Sequence, residues 1–106
     1  MARREWIVTW EAPEATESGE AVKAEAGKWL VAGPDGGKEL RFVELAGGLG
    51  TAFRLLDDDG VVMGRGRYFG AEGDETQAFG PLDDWGMPSY GCTSIEVFGK
   101  SGWVAL

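Results

Sequence analysis

Thr51-Ala52-Phe53-Arg54-Leu55-Leu56-Asp57-Asp58-Asp59-Gly60-Val61-Val62-Met63-Gly64-Arg65-Gly66-Arg67-Tyr68-Phe69 joins two apolar-rich runs through an acidic turn. Asp-Gly at 59–60 tolerates the left-handed backbone that a tight hairpin needs. Thr51–Leu56 and Val61–Phe69 therefore read as paired antiparallel strands. In the return strand, Gly64 and Gly66 share a face with Val62 and Tyr68. Glycines on one strand face signal a bend, a bulge or the close approach of another group. Arg65 and Arg67 fall together on the opposite face. They could form an anion site, but pairing with neighbouring acids is the preferred reading.

Working outward, Leu40–Leu45 is rich in Phe, Val and Leu and reads as a further strand, broken by Ala46-Gly47-Gly48-Leu49-Gly50. Glu5–Trp10 alternates, which places Trp6, Val8 and Trp10 on one core-facing side. Glu11–Glu20 is a polar loop. Ala21–Ala32 admits two readings. Its Ala, Lys and Glu favour helix, whereas its alternation and the central Gly27 favour a strand paired with the first, and the strand is preferred. Gly33-Pro34-Asp35-Gly36-Gly37 is a turn signal. Gly70–Asp84 reads as a long acidic loop with one helical turn near Asp74–Gln77. Thr93–Phe98 and Trp103–Leu106 form a last hairpin. The expected fold is mainly β: one domain over residues 1–106, a small antiparallel sandwich or barrel of six to seven short strands, with at most one short helical turn.

Composition supports that class. Eighteen glycines among 106 residues exceed the roughly 7% of average usage and imply many turns. Net charge is −8 with no histidine, which removes Ser-His-Asp and Cys-His triads and the commonest zinc sites. Residues 56–85 hold eight acids and two arginines, so the middle of the chain carries most of the charge. Direct nucleic-acid binding is not expected of so acidic a chain, because phosphate neutralisation needs Lys and Arg. The single cysteine excludes an internal disulfide. With no signal peptide or spanning segment legible near the start, a cytoplasmic protein is expected.

Three motifs fail on inspection. Asp57-Asp58-Asp59-Gly60 on a calcium-loop template would put Leu55 and Gly66 at the first and last ligand positions, and neither has a carboxylate. Gly64–Gly70 has one residue too many for a dinucleotide fingerprint, and Gly33–Lys38 lacks the first glycine and the hydroxyl of a phosphate loop. Cys92 has neither a base nor a cation nearby in sequence and reads as a buried thiol. No metal and no cofactor is expected.

The remaining candidate is Gly80-Pro81-Leu82-Asp83-Asp84-Trp85-Gly86-Met87-Pro88-Ser89-Tyr90-Gly91-Cys92, read as an ordered loop. Asp83 or Asp84 beside Trp85 and Tyr90 suits a cationic or sugar ligand, and paired carboxylates also serve glycoside hydrolysis. Adjacent carboxylates usually diverge, however, and the preferred reading of the motif is an acidic loop whose Trp85 anchors the fold. Trp6 and Trp10 read as core, while Trp29, Trp85 and Trp103 are candidates for an exposed surface. Pro81–Pro88 with Gly91–Ile95 resembles the C-terminal part of small uncharacterised proteins encoded by actinobacterial phages and their hosts. The resemblance covers about fifteen residues and carries over no site residue. It implies a phage or prophage accessory protein acting by binding.

The function expected is therefore non-enzymatic. Acidic loops around Asp57, Asp58 and Asp59 and around Asp83 and Asp84 would dock a protein with a basic surface, with Trp85 or Tyr90 as the buried anchor. In its sharper form the partner is a nucleic-acid-binding host protein that this chain inhibits. The alternatives are a small-ligand or carbohydrate-binding β module and a self-associating virion component.

Overall fold

A computed structural model describes residues 5–33, 39–71 and 74–106. The fold is mainly β. Seven strands form one antiparallel sheet: β1 (Trp6–Glu11), β2 (Val22–Lys23), β3 (Val31–Gly33), β4 (Thr51–Leu56), β5 (Val62–Tyr68), β6 (Ser94–Gly99) and β7 (Gly102–Ala105). The order across the sheet is β2-β1-β5-β4-β6-β7, with β3 also on β1. The sheet is open: the described strands neither close it into a barrel nor build a second sheet across from it.

The 51–69 hairpin forms as read. Asp57 N–H donates to the Val61 carbonyl at 3.0 Å, and Gly60 takes φ +79°. The paired strands run in register from Thr51 opposite Tyr68 to Leu55 opposite Gly64. The final hairpin also forms, with Phe98 opposite Trp103.

The strand expected over 21–32 exists only at its ends. Val22–Lys23 pairs with Trp10 and Glu11, and Val31–Gly33 pairs with Trp6, Ile7 and Val8. Opposite Thr9 the chain leaves the ladder over residues 24–30 as a loop. At the same point the β1–β5 ladder slips between Val8 and Trp10. Both edges of β1 are thus irregular at Thr9, and a bulge re-aims the side chains that follow it. Trp10 now lies opposite Arg65, while Val8 lies opposite Gly66. Trp10 is therefore on the opposite face from Trp6 and Val8, and the expected three-residue core stripe ends at Val8.

Two expectations are overturned by helix. Residues 39–46 form helix α1 (Glu39–Ala46), not a strand. Phe42 and Leu45 are buried while Leu40 and Val43 are exposed, a spacing of three that only a helix turns to one side. A short apolar run does not by itself separate the two periods. Second, the 80–92 loop is helical. Residues 75–90 wind through helix α2 (Glu75–Ala78), a wide π-type turn over Leu82–Gly86 and helix α3 (Met87–Tyr90). With α1 this exceeds the single helical turn expected. The turn read near Asp74–Gln77 does form, capped by the Asp74 side chain accepting from Gln77 N–H at 3.3 Å. Of the 33–37 turn signal, Gly33 ends β3 and the rest lies outside the described residues.

These helices cover the two sheet faces. On one, Trp6, Val8, Phe53, Leu55, Tyr68, Ile95 and Val97 pack with Ala78, Leu82 and Cys92 from the 75–92 segment. On the other, Ile7 packs with Phe42 and Leu45 of α1, flanked by Trp29 and Phe69. Helix α1 covers only part of its face. Beyond it, Arg54, Phe98 and Trp103 remain at the surface, the latter two 54% and 36% exposed.

Candidate functional site

The acidic tip is a built turn. Asp57 Oδ1 accepts from Asp59 N–H and Val61 N–H, both at 2.9 Å. Its carboxylate is thereby committed to holding the hairpin, and Asp58 and Asp59 stand exposed at the end of it.

The Asp83–Tyr90 group does not form an open aromatic platform. Trp85 is half-buried between Trp6, with ring centroids 6.1 Å apart, and Tyr90, at 4.4 Å and nearly perpendicular. A Cβ on Gly64 would lie 3.4 Å from the Trp85 ring, so β5 passes directly beneath it. Asp84 Oδ2 accepts the Trp6 indole N–H at 3.3 Å, across 78 residues of chain. Burial, followed by a hydrogen bond to the Glu11 side chain, raises the Tyr90 phenol above its ordinary value. Trp85 and Tyr90 thus belong to the clasp between the 75–90 helices and the sheet. Both neighbouring acids are exposed, and Asp84 serves that clasp through the Trp6 indole. Cys92 is fully buried, as expected, and burial, with a smaller contribution from Asp57, pushes its thiol up to about 11. A neutral thiol at physiological pH is a poor nucleophile.

A concavity lies elsewhere, at the double irregularity around Thr9. It is a cavity of about 530 Å³ between β1, β5, the 24–30 loop and the C-terminal end of α1. Trp10, Lys23, Lys28, Arg65 and Arg67 line it, together with Glu25. The Arg65 guanidinium lies over the Trp10 ring, 4.9 Å from its centroid. Arg67 Nε donates to the Leu49 carbonyl at 2.9 Å and Nη2 to the Gly50 carbonyl at 2.7 Å. Neither arginine forms an ion pair among the described residues, so the expected pairing with neighbouring acids is not seen there; of those acids, Glu72 lies outside the described residues. Arg54, opposite Arg65 on β4, does pair: its Nε donates to Glu96 Oε1 on the next strand. Its guanidinium also lies 4.4 Å from the centroid of the Trp103 ring.

The sequence singled out Arg65 and Arg67 as a pair but missed Trp10 and Lys23 as their neighbours. The alternation Gly-Arg-Gly-Arg was the legible signal. The bulge at Thr9, which turns Trp10 to the arginine side, had none. Among the described residues, no group of three His, Cys, Asp or Glu side chains is placed to hold a metal ion, and no helix is long and apolar enough to cross a membrane. Compared with protein-family models, curated proteins and solved structures, the chain matches none.

Proposed function

We propose that this is a non-enzymatic binding protein whose acidic hairpin tip docks on a basic surface of a partner protein. The observation that carries the reading is the division of labour at the tip. Asp57 holds the turn through two backbone amides, and Asp58 and Asp59 on that turn are exposed charges. Exposed charges at a hairpin tip favour steering and orientation of an oppositely charged partner more than raw affinity. A net charge of −8 extends the attraction over the whole molecule. The partner class that fits is a nucleic-acid-binding protein, whose basic surface is built for phosphates. An accessory protein of phage or prophage origin, acting in the host cytoplasm as an inhibitor, is the setting that the C-terminal resemblance favours.

The test is capture of partners from an actinobacterial lysate by the wild-type protein and by the D58N/D59N variant at low and moderate salt. Asp57 is left intact to preserve the turn. Loss of a basic partner from the double variant supports the reading. The same captured set for both proteins at both salt concentrations would sink it.

A second reading, a small-ligand-binding β module, is favoured by the cavity at Thr9. Its site would be the arginine side of the sheet in place of Trp85 and Tyr90.

A further inference from the structure

The cavity at Thr9 has a charge opposite to that of the chain. Lys23, Lys28, Arg65 and Arg67 face a single lining acid, Glu25, in a protein of net charge −8. Glu25 is itself engaged with Lys28 at 3.8 Å. Arg65 and Arg67, which lie two apart on β5, are about 7 Å apart along one strand face, and neither meets a carboxylate among the described residues.

Both arginines are oriented by neighbours that leave their charge unspent. The Leu49 and Gly50 carbonyls take two of the five N–H donors of Arg67 and fix its plane. Three donors remain. Burial lowers the Arg67 pKa, the mark of a guanidinium partly stripped of water. Arg65 is held by the face of Trp10, which orients a guanidinium without neutralising it. Two positioned forks with free donors match an oxyanion that accepts several hydrogen bonds, phosphate above all.

The cavity is larger than an inorganic oxyanion needs. Its volume of about 530 Å³ lies within the range of roughly 300–1,000 Å³ for small-molecule sites. Beyond the charged residues and Thr9 its wall is apolar, with Trp10 from β1 and Leu45 and Ala46 from α1. We propose that this cavity binds a small phosphorylated organic molecule, with the phosphate on Arg65 and Arg67 and the organic body against Trp10 and Ala46. The site is separate from the acidic tip and does not depend on the docking reading.

The experiment is calorimetric titration of the full chain at low salt with inorganic phosphate, adenosine 5′-monophosphate, glucose 6-phosphate and a single-stranded oligonucleotide. Low salt matters because screening weakens exposed ion pairs. At least one phosphorylated organic probe is expected to bind with Kd below about 1 mM, and more tightly than inorganic phosphate. R65Q should weaken that binding by about tenfold, the equivalent of one charge-assisted contact. K23Q should weaken it by less, and K100Q, in the turn between β6 and β7, should leave it unchanged. R67Q also removes the brace on Leu49 and Gly50, so R65Q with an unchanged melting temperature is the decisive variant. Three results would overturn the proposal: no binding of any phosphorylated probe at about 10 mM; equal loss in K100Q and R65Q; or an oligonucleotide that outcompetes the mononucleotide, which would mark a strand-binding surface instead.

Discussion

Gly66 of β5 lies against the backbone of Ile7 so closely that a Cβ built on it would stand 1.9 Å from the Ile7 carbonyl oxygen. The same atom would meet the Phe53 ring at 2.9 Å. Ile7 and Phe53 are both fully buried, so neither can yield without moving a strand. Gly66→Ala is expected to destabilise the protein by about 3 kcal/mol or more, at the upper end of overpacking costs. At Gly64, where the nearest atom to a new Cβ is a Trp85 ring carbon at 3.4 Å, alanine should cost about 1 kcal/mol or less. Urea denaturation of the two variants checks the order; equal midpoints would contradict it.

The close approach at Gly66 is one of three readings that the paired glycines allow, beside a bend and a bulge, and Gly64 has room for a Cβ. The 51–69 hairpin formed as its turn residues required. The errors arose where local sequence carries two periods at once. Leu40–Leu45 has strand composition, yet Phe42 and Leu45 sit three apart, and Ile7 gives that helical stripe something to cover. The 80–92 segment has the Pro and Gly content of a loop. Yet Pro88 sits in the first turn of α3, and Gly91, at φ +68°, closes its end, which is how these residues punctuate a helix. The cavity was only half legible, because it depends on two ladders slipping at the same residue, Thr9.

Asp57 is expected to matter to stability and Asp58 and Asp59 to recognition. Removing the Asp57 carboxylate leaves the Asp59 and Val61 N–H groups without their acceptor. Asp57→Ala should cost about 1–2 kcal/mol, as for the loss of a capping side chain. D58N/D59N should stay within about 0.5 kcal/mol of wild type, because exposed substitutions that break no contact change stability little. Thermal unfolding of the three proteins separates the roles. A destabilised D58N/D59N would mean that these acids also hold the fold.

Trp85 is expected to behave as a core residue. It touches Trp6 and Tyr90 and lies over Gly64. Truncation to alanine removes the centre of the contact between the 75–90 helices and the sheet. Trp85→Ala should cost about 3–5 kcal/mol, the range for large aromatic truncations in cores. It should also raise amide hydrogen exchange across 75–90 ahead of the sheet, because that segment would open as a unit. A variant as stable as wild type, with unchanged exchange, would return Trp85 to a surface role.

Cys92 sets the direction of the alkaline stability limit. Its thiol is fully buried and its folded pKa rises from 9.0 to about 11, chiefly through burial. Between those values the unfolded chain releases the proton while the folded chain keeps it. The unfolded state then binds fewer protons, so stability falls as pH rises through this window and is unaffected by this group below it. The loss from Cys92 should reach about 2 kcal/mol at pH 11. Tyr90, raised in the same direction by burial and by Glu11, adds to the fall at the alkaline end. Cys92→Ala should flatten the profile between pH 9 and 11, although it lowers stability at pH 7 by leaving a small void. Urea midpoints at several pH values give the comparison, and parallel profiles for wild type and C92A would show that the thiol is not the group that titrates. The same burial predicts slow labelling by a thiol reagent at pH 8, at a rate set by opening of the 75–92 segment rather than by the chemistry of the thiolate.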